Sequence, residues 1–277
     1  MKTILPKRKE FYNKIPGYWA DMYEQEYSLY DVREITKQEW ENKQKFAYRC
    51  GQLFYKIANL IRSDAITNEM LLEMGYPIET LEFIRLSTMK NQTIIGRFDS
   101  VDVDGVEKLL EFNTDTPTFI KELFYVNNLV CKEFGLENPN VNEEEKLKKV
   151  LKDAIIGECL KINNKELPNV VFTSHSENVE DKNTVLYLRE LSGISSKYVP
   201  IEKLEIVKEE GLYDSDGEKI DLLYRQTVPI ESLILDKDPN NGDQVGVMLL
   251  DLVKEAKLRI INPPSAFLLQ NKAVMAI

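Results

Sequence analysis

Between residues 169 and 262, short β-forming runs alternate with runs of helical period. This alternation constrains the architecture more than any other feature of the chain. "NVVFT" (169–173) is short and apolar enough for a buried strand. "ENVEDKNTVLYLRELSG" (177–193) has helical spacing and a glycine stop, and "SSKYVPI" (195–201) returns to strand. Further on, 204–225 reads as a hairpin around Asp216-Gly217, 242–257 as a helix and "LRIIN" (258–262) as a strand. Strands joined through helices pair in parallel, so an α/β layer with a parallel sheet is predicted here, preceded by a charged amphipathic helix over 141–161. The region has no G-x-G-x-x-G, so it is not read as a dinucleotide site.

The first 90 residues have a different period and read as mostly helical. Thr36 followed by Glu39 is a capping-box pattern, and Trp40, Phe46, Cys50, Leu53, Phe54, Ile57, Leu60 and Ile61 continue at helical spacing as a core stripe. A shorter helix is expected after Thr67 or Asn68, stopped by Gly75 and Pro77. The aromatic residues Phe11, Tyr12, Tyr18, Trp19 and Tyr23 read as packing of an N-terminal arm, with a pocket lining as the alternative. Residues 91–113 then become β-rich, and 118–135 return to helix.

Composition excludes several functions. A net charge of −10 lacks the basic surface that nucleic-acid binding needs. No apolar run approaches the roughly 20 residues that span a bilayer, and the N-terminus lacks the apolar core of a secretory signal, so a cytoplasmic protein is expected. Cys50, Cys131 and Cys159 are odd in number and form no CxxC pair, which fits buried thiols in a reducing compartment. The single histidine, His175, rules out a multi-histidine zinc site and reads as an exposed loop residue.

The chemistry concentrates in "GRFDS" (96–100) and "KLLEFNTDTPT" (108–118). Residues two apart on a strand share a face, which pairs Arg97 with Asp99 and Glu111 with Asn113. If the two strands form a hairpin, its loop sets the parity between them. A two-residue loop, Asp104-Gly105, would put Arg97 opposite Phe112 and separate Asp99 from Glu111. A three-residue loop, Val103-Asp104-Gly105, would put Arg97 opposite Glu111, gather all four on one face, and is the reading taken. Two carboxylates and an amide oxygen are hard ligands suited to Mg²⁺, which keeps waters and shares its shell with substrate phosphates. Arg97 suits a phosphate or an oxyanion. The threonine-rich segment precedes a helix start near residue 119, where anions bind readily. A cross-strand salt bridge on a solvated face is the plain alternative. A glycosidase carboxylate pair fits less well beside an arginine and an amide.

These two segments, at this spacing, closely resemble the glutathionylspermidine synthase family, whose pattern is R-x-D on one strand and E-x-N-x-D-[TS] shortly after. "INPPSAFLLQNKAVMAI" (261–277) resembles the family's proline-containing approach to an N-K-A helix, and 180–190 and 220–232 follow it more loosely. The resemblance implies an α/β (α+β) chain carrying the pre-ATP-grasp part of a permuted ATP-grasp ligase. A helical region over 1–90 would be followed by a metal hairpin and helix over 91–140, then by a Rossmann-like substrate domain over 141–262. Residues 263–277 would start the ATP-grasp lobe. It implies Mg²⁺ held by Asp99, Glu111 and Asn113, ATP phosphates met by Arg97 and Lys272, and Arg97 as the catalytic group. Thr116, Thr118, Glu180 and Asp181 would meet substrate. The implied partners are a peptide-like carboxylate and a polyamine-like amine, joined through an acyl phosphate. "TVPIE" (227–231) stands where the family has an aromatic-rich segment. The family continues well beyond the N-K-A helix, so a separate C-terminal half and an exposed, poorly ordered 266–277 tail are expected. The alternative to a ligase is a non-catalytic relative that holds metal or a peptide.

Overall fold

The computed structural model describes residues 4–22, 24–162 and 168–277; Tyr23 of the aromatic arm lies outside them. Helix α1 (Ile4–Tyr12) leads to a two-residue ladder of β1 (Asp21–Met22) and β2 (Gln25–Glu26), then to the long helix α2 (Lys37–Ile61). Thr36 caps α2: its hydroxyl accepts from Glu39 N at 3.1 Å, and the Glu39 carboxylate takes the Thr36 amide at 2.6 Å. Short helices α3 (Asn68–Glu73) and α4 (Leu81–Ile84) follow, with Thr67 capping α3. The N-terminal aromatics pack: Tyr12, Ile15, Val126 and Val130 form a small cluster that Phe11 and Tyr18 flank.

Strands β3 (Arg97–Val103) and β4 (Val106–Asn113) form an antiparallel hairpin. A π-turn at Glu122–Val126 runs into α5 (Asn127–Glu133), and α6 (Val141–Cys159) follows. The α/β layer comprises β5 (Val170–Thr173), α7 (Val179–Ser192), β6 (Lys197–Tyr198), β7 (Glu205–Val207), β8 (Gly211–Tyr213), β9 (Leu222–Arg225), α8 (Ile230–Leu233), α9 (Val245–Lys254) and β10 (Arg259–Ile261). The main sheet runs β10-β9-β5-β6, all parallel.

Burial on both faces explains why these strands are apolar without alternation. Val170, Phe172, Leu222, Tyr224 and Ile261 face Leu151 and Ile155 of α6 and Val185 and Leu188 of α7. Val171, Leu223 and Ile260 face the opposite core, with Leu249 and Leu250 of α9, Phe54 and Ile61 of α2, and Phe267 and Leu268. Gly193, at φ +62°, closes α7 in the left-handed conformation that glycine adopts without strain.

Two expectations fail. The 204–225 run is not one hairpin. Its antiparallel pair is β7–β8, Asp216-Gly217 sits under a single Tyr213–Lys219 bridge, and Leu222–Arg225 joins the parallel sheet instead. The 266–277 tail is not loose. Pro264–Leu269 forms a 3-10 turn buried in the larger core, and a second turn spans Lys272–Ala276. Tyr76 donates its hydroxyl to the Leu268 carbonyl, Thr114 donates to the Ala266 carbonyl at 2.7 Å, and Asn271 donates to the Met74 carbonyl at 2.9 Å. The apolar "AFLL" run is therefore core, covered by α2 and α4.

Candidate functional site

The hairpin has a two-residue loop, Asp104-Gly105, with φ of 54° and 80°, and Val103 pairs with Val106. Both loop residues have positive φ, as in the tight turns that match strand twist. By itself this loop would separate Asp99 from Glu111. A bulge restores the parity: Ser100 pairs with Leu109, Asp99 pairs with Glu111, and Leu110 is the extra residue, half-exposed. Arg97 then pairs with Asn113 and Phe98 with Phe112. The four polar residues share a face, by a bulge and not by the three-residue loop expected.

The other face explains the orientation. Phe98 and Phe112 stack at 3.9 Å, and Phe54 of α2 meets Phe112 edge-on at 4.9 Å. A Cβ at Gly96 would come within 2.7 Å of Phe112, so glycine lets the strand enter against this stack. With the aromatic rings facing the core, the alternate residues turn outward.

On that outer face, Arg97 grips Asp99 with two bonds, Nε to Oδ1 at 2.7 Å and Nη2 to Oδ2 at 2.9 Å. Its Nη1 donates to the Thr118 hydroxyl at 3.1 Å and to the Thr118 carbonyl at 3.2 Å. The Asn113 amide donates to Asp99 at 3.3 Å and to Glu111 at 3.2 Å. Lys272 reaches Glu111 at 3.1 Å from the C-terminal turn, whose cap Asn271 accepts from Ala273 N at 2.9 Å. Hydrogen bonds from Asn113 and Lys272 hold the Glu111 carboxyl below its usual range, so it is ionised at neutral pH, as a cation ligand must be. No group of three or more His, Cys, Asp or Glu side chains gathers as a metal cluster among the described residues. The hairpin offers two carboxylates and one amide, a hard-oxygen set consistent with Mg²⁺ in type, and a cation there needs the amide to turn its oxygen inward.

The row borders a cavity of about 800 Å³ lined by Arg97, Asp99, Thr118, Phe119, Tyr27 and Glu180. Phe119 has φ +69°, a left-handed backbone unusual for an aromatic residue, placed directly after Thr118. Glu180 also lines a second cavity of about 810 Å³, with Trp19, Asp21, His175, Glu177 and Glu202. His175 is half-buried there, not exposed as its loop position suggested. Residues 175–180, which follow β5, line the second cavity, and Glu180 joins it to the first. From β5 the chain goes to β6 on one side, and β9 joins on the other, the switch point where open parallel sheets bind ligands.

Arg97, Asp99, Thr118 and Glu180 thus meet on one cavity, with Glu111 and Asn113 beside it on the hairpin and Lys272 reaching Glu111 from the C-terminal turn. Thr116 and Asp181 are set back from it. Gln226 donates to the Thr116 carbonyl at 3.0 Å and to Asp181 at 3.3 Å, and the Asp181 carboxylate accepts from Asn178 at 2.7 Å. Burial raises the Asp181 carboxyl to about 6. With the folded value above the unfolded one, its stabilising contribution is complete below about pH 4 and is lost as pH rises through 6. Asp181→Asn is therefore expected to remove about 3 kcal/mol of pH dependence between about pH 4 and about pH 8. Urea unfolding across that range measures it, and an unchanged pH profile would contradict the assignment.

Sequence reasoning missed the anchor beneath the site. Asp115 is fully buried and paired with Arg225 of β9, and it accepts from Ile230 N at 2.8 Å. It also missed Tyr27 and Glu122, which come from segments with no local chemical signature.

No curated protein matches significantly. A glutathione synthetase-like effector from Globodera pallida, solved in its apo form, is similar in structure with a TM-score of 0.59 at 13% identity. The alignment covers 97% of this chain and 63% of that one, so the chain spans under two thirds of that relative's length. At this identity the likeness shows the fold, a mixed α/β arrangement. The family model described as glutathionylspermidine synthase pre-ATP-grasp matches residues 6–277, nearly the whole sequence. The chain belongs to the glutathionylspermidine synthase pre-ATP-grasp family.

Proposed function

We propose that this chain is the metal- and substrate-binding part of an ATP- and Mg²⁺-dependent amide ligase of permuted ATP-grasp type. The observation that carries the proposal is the row Arg97, Asp99, Glu111 and Asn113 on one hairpin face, with Lys272 brought to its edge. Two cationic side chains and two carboxylates cancel pairwise there. A nucleotide triphosphate arriving with Mg²⁺ supplies both charges in exchange: its phosphates take Arg97 and Lys272, and Asp99, Glu111 and Asn113 are released to hold the cation. Magnesium would neutralise phosphate charge during phosphoryl transfer. Arg97, tethered by Thr118, is placed to stabilise the transferred phosphoryl group, and the adjoining cavities have room for a peptide-like carboxylate and an amine. Thr118 and Glu180 line that space, and Thr116 and Asp181 shape it from behind. A separate C-terminal half would complete the ATP site. The cytoplasm, rich in ATP, is the proposed location.

The second reading, a non-catalytic relative that holds metal or a peptide, draws on the pairing of both carboxylates within the protein. A Mn²⁺ titration with and without ATP tests the site that both share. Asp99→Ala and Glu111→Ala are each expected to weaken Mn²⁺–ATP binding about tenfold or more, with little change in unfolding midpoint, because both side chains sit at the surface. Unchanged affinity in both would overturn the metal assignment. Amine-dependent ADP release, with a C-terminal half added if required, separates ligase from binding module.

A further inference from the structure

Glu122 is a buried carboxylate that has no partner beyond its own backbone amide among the described residues. It sits in the π-turn that follows Thr118 and Phe119, is 6% exposed, and neither carboxylate oxygen has a hydrogen-bond partner among the described residues. A buried ionised carboxylate with no partner is costly, and native structures usually supply a partner or a reason. Its surroundings identify the place. Phe119, Ile120, Leu123 and Phe124, on either side in sequence, line the cavity that holds Arg97. Tyr27 and Glu180 line the same cavity and lie within electrostatic reach of Glu122. Tyr18 is near on the N-terminal arm. The neighbouring cations are already engaged or only half available: Arg97 is held by Asp99, and Lys121 leans on Asn183 and the Tyr125 ring. Glu180 therefore lines the cavity, Glu122 lies behind its wall, and the guanidinium that would balance them is committed elsewhere.

We infer that Glu122 is the buried counter-charge for an ammonium group seated in the cavity between Arg97 and Glu180. The ammonium would be that of the amine substrate, so the inference rests on the ligase reading for the ligand's role, though not for its binding. The interaction needs no direct contact, since a charge within a low-dielectric wall acts over several ångströms. Burial is the main influence that raises the Glu122 carboxyl, and Glu180 adds to it, while its own backbone amide, Lys121 and Arg97 oppose. An ammonium moving in favours the ionised form, so binding should release protons to solvent.

The test is calorimetry of 1,4-diaminobutane, without ATP or metal, in two buffers of different ionisation enthalpy, with 1,4-butanediol as the uncharged control. The wild-type protein should bind the diamine with proton release and not bind the diol. Glu122→Gln should weaken diamine binding about tenfold or more and abolish the proton release. Glu122→Met, apolar and of similar length, should do the same and covers the case in which glutamine does not fold. Unchanged affinity and proton release in the folded variant, or no diamine binding by wild type at millimolar concentration, would overturn the inference. Diamine binding that survives alongside a complete lack of ADP release, with a C-terminal half added, would sink the ligase reading alone.

Discussion

Arg225→Ala is expected to cost roughly 3–5 kcal/mol of folding stability, measured by urea unfolding, because it breaks a buried ion pair and leaves the other charge behind. Both side chains of the Asp115–Arg225 pair are fully buried. The guanidinium also donates to the Val228 carbonyl at 2.6 Å and the Thr227 hydroxyl at 3.3 Å. Burial pushes the Asp115 carboxyl up, and Arg225 is the main opposing influence. Without it, only the Ile230 amide remains among the described residues, and Asp115 must bury a poorly compensated charge or take up a proton. Asp115→Leu with Arg225→Met should be less destabilised than either single alanine variant, since two apolar groups leave no orphan. The pair ties the segment after β4 to the end of β9, and this segment carries Thr118. The single variants should therefore also lose Mn²⁺–ATP affinity. A loss below about 1 kcal/mol for Arg225→Ala would mean that the pair is not the anchor described.

Arg97→Ala is expected to carry the largest functional effect under the ligase proposal. Removing a preorganised donor from a developing charge costs about 10²–10³ in rate, so ATP-dependent turnover should fall by that factor in an active assembly. Stability should change by less than about 1 kcal/mol, because the Arg97–Asp99 pair is about one-third exposed and salt-screened. Arg97→Lys is the informative companion. Lysine keeps the charge but not the planar fork that reaches both Asp99 oxygens and Thr118 together. Lysine should recover a minor part of the nucleotide affinity and little of the rate. If Arg97→Ala keeps both ADP release and Mn²⁺–ATP affinity, Arg97 is a surface ion-pair residue and no more. The neutral variant Asp99→Asn, which frees Arg97, should bind inorganic triphosphate without metal more tightly than the wild type does.

The sequence by itself determined what depends on neighbours a few residues away. Period-2 spacing put Arg97 with Asp99 and Glu111 with Asn113, and the Thr36–Glu39 cap was legible because both partners lie within one helical turn. The apolar runs of β5, β9 and β10 were legible because burial on both faces leaves no polar alternation. Tertiary structure decided the rest. The loop and the Leu110 bulge are two compensating one-residue choices, and the aromatic stack of Phe98, Phe112 and Phe54 selects the pair that buries the rings. "AFLL" reads as exposed if nothing follows it, yet α2 and α4, some 200 residues earlier in the chain, cover it. Asp115 and Arg225 stand 110 residues apart, and neither segment names its partner. Glu122 looks like any helical glutamate until the fold buries it behind the cavity that Tyr27 and Glu180 line. Desolvation and charge pairing depend on distance through space, and local spacing encodes that distance only within a turn or a hairpin.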